Sequence, residues 1–149
     1  KVGKPVKSYG CSYAQSWSDV QFQRMPNVSL QPGKNDWSWN DLIGQMDKGI
    51  AIVGDGSFSI DQQRYNGQFG GSAFWEIKNG KKTRALTNVT YNAITTDFWA
   101  NLVAVAGPKH WRQFGVGGDA KGQPTQGQAV SHGAPWIRIG KVMVGAAFQ

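Results

Sequence analysis

The stretch RYNGQFGGSAFWEIKNGKKTRALTNVTY, residues 64–91, decides the fold of this chain. Apolar and polar residues alternate through its first half, as they do in a strand that turns one face toward a core. The predicted apolar face holds Phe69, Ala73, Trp75 and Ile77, with Phe74 as the one apolar residue on the opposite face. Asn79-Gly80 follows and favours a two-residue hairpin turn, because both positions of such a turn need a positive φ. We therefore predict an antiparallel hairpin across this stretch.

A short helix is predicted before the hairpin, in NDWSWNDLIGQMDKG at residues 35–49. Its apolar residues recur at the spacing of one helix face. They are Trp39, Leu42, Ile43 and Met46. Asn35 or Asp36 is predicted to cap the start of this helix, and Gly49 to end it.

A second helix is predicted after the hairpin, in TTDFWANLVAVAGP at residues 95–108. Its apolar face would hold Phe98, Leu102 and Val105. Thr95 or Thr96 is predicted to cap it, and Gly107-Pro108 to end it.

The rest of the chain is predicted to form strands, among them IAIVG at residues 50–54 and strands on either side of a loop at residues 116–126. The sum is an α+β fold of mostly antiparallel β-sheets with two short helices. The length of 149 residues predicts a single domain over residues 1–149.

Composition narrows the class of protein. With 40% hydrophobic and 17% charged residues, the chain is expected to fold. Its single cysteine, Cys11, excludes an intrachain disulfide framework and a cysteine-rich zinc cage. No apolar run has the length of a membrane span, so no membrane partner is expected. Because the chain starts at Lys1 without a methionine, we interpret it as part of a longer protein.

The formal charge of +7 raises the hypothesis of a nucleic-acid partner. The basic residues are mostly scattered singly among neutral ones, however, which favours a solvated surface over a binding stripe. A nucleic-acid partner is therefore not the leading expectation.

The common catalytic motifs are absent from the sequence. There is no Gly-x-Ser-x-Gly elbow, and GDAKGQ at residues 118–123 lacks the Gly-Lys-Ser/Thr ending of a phosphate-binding loop. The two histidines, His110 and His132, are too far apart in the sequence for a metalloprotease helix, and Glu76 is the single glutamate. The chain alone cannot build a helix of that kind.

The candidate chemical groups lie in GGDAKGQPTQGQAVSHGAPWIRIGKVMVG, residues 117–145. Asp119 and Lys121 are most simply an exposed loop pair. His132 has two open interpretations, a structural hydrogen-bonding residue or a site residue.

Four colinear stretches resemble the C-terminal domain of the TldD/PmbA family of metallopeptidases, also called modulators of DNA gyrase. They are CSYAQSWSDVQFQRMPNVSLQPG, GSFSIDQQRYNGQFGGSAFWEIKNGK, VTYNAITTDFWANLVAVAG and KGQPTQGQAVSHGAPWIRIGKVMVG. The resemblance implies a two-domain cytoplasmic protein that works as a homodimer or with a related TldD/PmbA subunit. In TldD-like members, a His-Glu-x-x-x-His helix in the preceding part binds zinc and supplies the catalytic glutamate. PmbA-like members lack this helix motif and act as partner subunits.

The resemblance also implies a third zinc ligand, which TldD-like members take from a Cys-Gly-Lys segment before the final strands. The corresponding stretch here runs from Asp119 to Pro124, with aspartate where the cysteine would stand. Zinc accepts a carboxylate oxygen, so Asp119 could be an oxygen ligand. Alternatively, this domain no longer completes a metal site. In the first case Lys121, Gln123 and His132 would line the site.

The resulting functional expectation is the C-terminal domain of a zinc peptidase that cleaves unstructured peptides. An edge of the hairpin at residues 65–91 could bind such a peptide as an added strand. The isolated domain is expected to be inactive and to hold no zinc, because the histidine pair and the glutamate belong to the N-terminal domain of the same protein. The alternatives are a non-catalytic partner subunit and a basic nucleic-acid-associated module.

Overall fold

The computed structural model describes residue 7 and residues 10–146. In chain order the strands and helices are β1 (Ser12–Tyr13), β2 (Phe22–Gln23), α1 (Trp39–Gly44), β3 (Lys48–Val53), β4 (Phe58–Ile60), β5 (Asn66–Phe69), β6 (Ala73–Lys78), β7 (Lys81–Leu86), β8 (Val89–Ile94), α2 (Thr95–Ala100), β9 (Leu102–Val105), a 3₁₀ turn (Pro108–His110), β10 (Arg112–Lys121), β11 (Gln126–Ala134), β12 (Ile137–Ile139) and β13 (Met143–Ala146). All described strand pairs are antiparallel, so the predicted α+β class is confirmed. None of the described helices is long and apolar enough to cross a membrane.

The described chain divides into two compact units. The first, here the ribbon unit, combines the described residues up to Gln31 with Arg112–Ala134. It holds the short β1–β2 pair and the long two-stranded ribbon of β10 and β11. The second, here the sheet unit, combines Pro32–Trp111 with the described residues from Pro135 onward. The single domain over residues 1–149 stays a prediction.

The hairpin of β6 and β7 forms where the sequence predicts it. Asn79 and Gly80 make the turn with φ angles of 48° and 73°. With β3 the two strands form a three-stranded sheet in the order β3-β6-β7. Local turn chemistry therefore determines this element.

One face of the three-stranded sheet packs under α1, so the apolar residues of the helix and of β6 meet in one cluster. Its centre is the fully buried Ile77, clustered with Ile43 of α1 and Ala51 of β3. Trp39, Met46 and Trp75 close around this cluster. Phe74 points to the opposite face, as predicted, and is also buried, opposite Ile52 of β3. As the central strand, β6 therefore buries apolar side chains on both faces.

The placement of Phe69 on the same face as Trp75 is wrong. Phe69 ends β5, which belongs to a separate four-stranded sheet with the order β13-β8-β5-β4. Gly70 and Gly71 lie between β5 and β6, and a Cβ on Gly71 would come within 2.6 Å of the Ile52 side chain. The chain thus passes from one sheet to the next at a point where a side chain would not fit. In its own sheet Phe69 stacks on Tyr91 with ring centroids 5.4 Å apart.

The first helix is shorter than predicted and has a different cap. Ser38 is the N-cap, and its hydroxyl accepts a hydrogen bond from the Asp41 backbone N–H while the Asp41 carboxylate accepts one from the Ser38 backbone N–H. This reciprocal pair makes a capping box, which explains why neither Asn35 nor Asp36 caps the helix. The helix ends at Gly44, and Gly49 lies within β3.

The second predicted helix contains a strand in its second half. The helix α2 ends at Ala100, and Leu102–Val105 forms β9, paired with β12. Neither Thr95 nor Thr96 is the N-cap; Ile94 takes that position without a side-chain hydrogen bond. The prediction failed because a short apolar run that contains β-branched valines fits a buried strand as well as a helix.

Candidate functional site

Asp119 lies in a strand, where the sequence analysis placed a loop. It is the third residue from the end of β10 and lies opposite Gln128 of β11, just after an irregularity in the pairing between Val116 and Asp119. The predicted loop at residues 116–126 is therefore wrong: pairing with β11 continues to Lys121, and the turn is confined to residues 122–125. Gly122 allows this tight turn with a φ of 92°.

The residue that faces Asp119 is Arg24, just after β2. Its side chain is fully buried, whereas 30% of the Asp119 side chain is exposed. The Arg24 Nη2 donates to the Asp119 main-chain oxygen at 2.6 Å and to the Asp119 Oδ2 at 3.3 Å. Asp119 is thus the ion-pair partner of a buried cation, and its carboxylate is still reachable from solvent.

Two neighbours hold the Arg24 guanidinium from other directions. Its Nη1 donates to the Gln126 main-chain oxygen at 3.3 Å. Its Cζ lies 5.7 Å from the centroid of the Tyr13 ring, within the range of a cation–π contact. The position of the guanidinium is therefore set by β1 and β11 together.

Lys121 and Gln123 lie close to Asp119 along the chain but do not face it in the same way. Lys121 shares a ribbon face with Asp119, since the two residues lie opposite Gln126 and Gln128. Its Nζ donates to the Gln23 main-chain oxygen at 2.5 Å, so its charge is directed at β2. Gln123 lies exposed in the turn. The structure thus brings Lys121 near Asp119 and leaves Gln123 at the ribbon tip.

His132 lies at the other end of the ribbon from Asp119. It is opposite Phe114, four residues along β11 from the partner of Asp119, which separates the two by about 13 Å at strand spacing. Its Nδ1 lies 3.2 Å from the Val28 backbone nitrogen and 3.1 Å from the Val28 oxygen, so it accepts from the first or, when protonated, donates to the second. This contact is the structural hydrogen bond of the first interpretation. A site shared by His132 and Asp119 stays a prediction.

Residue 7 and residues 10–146 contain no group of three or more His, Cys, Asp or Glu side chains that could hold a metal ion. Asp119 nevertheless suits the role of a single contributed ligand. Carboxylates that ligate metal ions are commonly hydrogen-bonded by a neighbouring side chain, as the Asp119 carboxylate is by Arg24.

Arg24 was not among the predicted site residues. One signal was available in the sequence: a period of two from Phe22 places Arg24 on the same side of an extended segment. The structure puts Phe22 beside Gly122 in the turn of the ribbon. That signal predicts that Arg24 faces inward. It does not identify the carboxylate that Arg24 meets 95 positions later.

Comparisons with known proteins agree with this geometry at the level of the fold. Residues 7–146 match the family model described as the PmbA/TldA metallopeptidase C-terminal domain. A crystal structure from Thermotoga maritima MSB8, described as a candidate modulator of a DNA gyrase, superimposes with a TM-score of 0.57 at 18% sequence identity. The match covers 80% of this chain and 24% of that chain. A search of curated proteins found no match. The match over residues 7–146 shows that this chain belongs to the PmbA/TldA metallopeptidase C-terminal domain family.

Proposed function

We propose that this chain completes the zinc site of a peptidase that cleaves unstructured peptides, with Asp119 as the ligand it contributes. The N-terminal domain that the family name implies would supply the other ligands and the catalytic glutamate. The protein would act in the cytoplasm, as a homodimer or with a related subunit. The observation that carries this proposal is the Asp119 carboxylate, which lies on the paired strand β10, is partly exposed and is held by the buried Arg24.

The chemistry divides between the metal and the residues of this chain. When bound, zinc lowers the pKa of a coordinated water and polarises the scissile carbonyl. Asp119 would offer one carboxylate oxygen, while Arg24 holds the other at 3.3 Å. The ribbon supplies rigidity, because Asp119 is paired across to β11. The Lys121 ammonium donates to the Gln23 main-chain oxygen, so it would not compete with a metal ion for the Asp119 carboxylate.

Support for peptide binding comes from β7, an edge strand of the three-stranded sheet. Within the described chain β7 pairs with β6 alone, so its other side offers main-chain groups to an added strand. Glu76 of β6 accepts a hydrogen bond from the Thr83 hydroxyl at 2.8 Å and forms an ion pair with Arg84. Lys82 lies over the Trp75 ring at 4.9 Å. These contacts hold β7 against β6, and the other edge of β7 would pair with the added peptide strand.

A proline scan of β7 tests the peptide site. Proline removes a main-chain N–H, and a lost hydrogen bond of ~1 kcal/mol lowers affinity about fivefold. We expect such a loss at alternate positions from Lys82 to Ala85 when a labelled unstructured peptide binds the full-length protein. Ser59→Pro in β4, an edge strand of the other sheet, is the matched control. Unchanged affinity at every β7 position would exclude this edge.

The zinc role of Asp119 is tested in the full-length protein by metal content and by cleavage of an unstructured fluorogenic peptide. The variant is Asp119→Asn, because the amide oxygen can still accept from Arg24 while the ligand charge is lost. We expect metal and cleavage to fall together, and Asp55→Asn, an exposed aspartate of the sheet unit, to behave like the wild type. Retained metal and activity in Asp119→Asn would place the third ligand elsewhere. A wild-type protein without metal would instead make the chain part of a partner subunit.

A further inference from the structure

We infer that Arg24 is the positioning residue for the Asp119 carboxylate, setting the orientation in which that carboxylate meets a metal ion. This inference rests on the proposed role of Asp119. It adds a residue that none of the motifs in the sequence indicates, from the β1–β2 segment at the opposite end of the chain.

Arg24 contacts Asp119 at two points. One nitrogen, the Arg24 Nη2, contacts both the main-chain oxygen and the side-chain Oδ2 of the same residue. Two contacts from one donor to one residue fix the side-chain torsion of Asp119 relative to its own backbone. A lysine has one nitrogen for all its contacts, whereas the planar guanidinium reaches Asp119 with Nη2 and the Gln126 main-chain oxygen with Nη1.

Arg24 is itself held rigidly. Its side chain is fully buried, and its Nη1 donates to the Gln126 main-chain oxygen. The Gln126 side chain in turn accepts from the Gln15 backbone N–H at 2.9 Å and donates to the Val20 main-chain oxygen at 2.8 Å. A guanidinium held in this way cannot follow Asp119 if the carboxylate rotates, so Asp119 must adopt the orientation that Arg24 sets.

Burial of the Arg24 guanidinium carries a cost in folding free energy. A fully buried cation is destabilising unless it is paired and hydrogen-bonded, and here the Arg24 Nε is buried with no hydrogen-bond partner among the described residues. An apolar side chain at this position would pack without that cost. The arrangement thus favours a function for the charge over a purely structural role.

Cobalt binding to the full-length protein tests the inference, with the d–d absorption of Co²⁺ as a report of ligand geometry. The variants are Arg24→Met, Arg24→Lys, Asp119→Asn and the double variant Arg24→Met with Asp119→Asn. Removing a group that orients a ligand lowers metal affinity about 10- to 100-fold, and we expect this loss in Arg24→Met. The double variant should bind no more weakly than the weaker single variant, because the two residues act as one unit. Arg138→Met is the matched control, since Arg138 also donates to a main-chain oxygen, that of Gln45 at 2.9 Å, in the sheet unit.

Arg24→Lys keeps the inference testable if Arg24→Met does not fold. It retains the positive charge and loses the fork, so a positioning role predicts an altered Co²⁺ spectrum with a folded protein. Wild-type spectra and affinity in both Arg24 variants, beside weakened binding in Asp119→Asn, would overturn the inference alone. Wild-type binding in Asp119→Asn would overturn the proposed zinc role, and the positioning role with it.

Discussion

Arg24 carries its charge into the interior of the ribbon unit, and Asp119 is the carboxylate that meets it there. Breaking such a pair from one side leaves a buried charge without its partner. We expect Asp119→Ala to lower the free energy of unfolding by ~3 kcal/mol, at the low end of the usual range because Asp119 is 30% exposed. Asp119→Asn should lower it less, because an amide oxygen can still accept from Arg24. Urea denaturation of both variants measures this difference, and equal stability of Asp119→Ala and wild type would show that the ion pair contributes nothing.

At the residue scale the sequence singles out candidate groups, but it does not predict their neighbours. Asp119 and Lys121 stand out as charges among small residues in one short stretch. Their partners, Arg24 and the Gln23 main chain, come from a segment about a hundred positions earlier. Such pairings depend on how two distant segments meet, which no local pattern specifies. For the same reason the contact of His132 with Val28 could be anticipated only as an unspecified hydrogen bond.

At the element scale, the capping box of α1 gives a direct stability prediction. The Ser38 hydroxyl and the Asp41 carboxylate satisfy two N–H groups at the helix start. Ser38→Ala should therefore lower the free energy of unfolding by about 1 kcal/mol. Asn35→Ala, at one of the positions that the sequence favours as a cap, should change it by less than about 0.5 kcal/mol. Thermal denaturation of the two variants compares them; a larger effect at Asn35 would contradict the observed cap.

The elements differ in how well local sequence predicts them. The β6–β7 hairpin was predicted correctly, because Asn79-Gly80 and the alternation before it indicate the same structure. The second half of the α2 region was predicted wrongly, since Leu102–Val105 becomes a strand by pairing with Ile137–Ile139 from a later part of the chain. Asn101 ends α2 by donating from its side-chain amide to the Asp97 main-chain oxygen at 2.8 Å. A partner strand and a side-chain contact thus outweigh a periodicity that suits helix and strand alike.

At the scale of the whole molecule, several carboxylates make stability depend on pH. Hydrogen bonds from Ser38 lower the pKa of Asp41. Backbone N–H groups, first that of Asn66 and then that of Tyr65, lower the pKa of Asp61. The Thr83 hydroxyl, with Lys78 and Arg84, lowers the pKa of Glu76. Each folded-state pKa therefore lies below the unfolded value of about 4.

Groups shifted in this direction stabilise the fold fully above their unfolded pKa, and this stabilisation is lost as the pH falls through the folded pKa. We expect the free energy of unfolding to be steady near neutral pH and to decline from about pH 4 downward. Urea denaturation between neutral and strongly acidic pH measures this profile. Asp61→Asn should make the decline shallower, and a stability that rises on acidification would contradict the assignment.

The last question at this scale is how much of a metal site this chain supplies. The match covers 24% of the solved relative's chain, and the described residues contain no group of three or more His, Cys, Asp or Glu side chains that could hold a metal ion. The central claim is that this domain completes a zinc site: Asp119 would supply one carboxylate oxygen, and the N-terminal domain would supply the other ligands. The measurement that tests it most directly is anomalous diffraction at the zinc edge from crystals of the full-length protein. We predict zinc with an Asp119 carboxylate oxygen at about 2.0–2.2 Å. A zinc ion whose complete ligand set excludes Asp119 would contradict the claim.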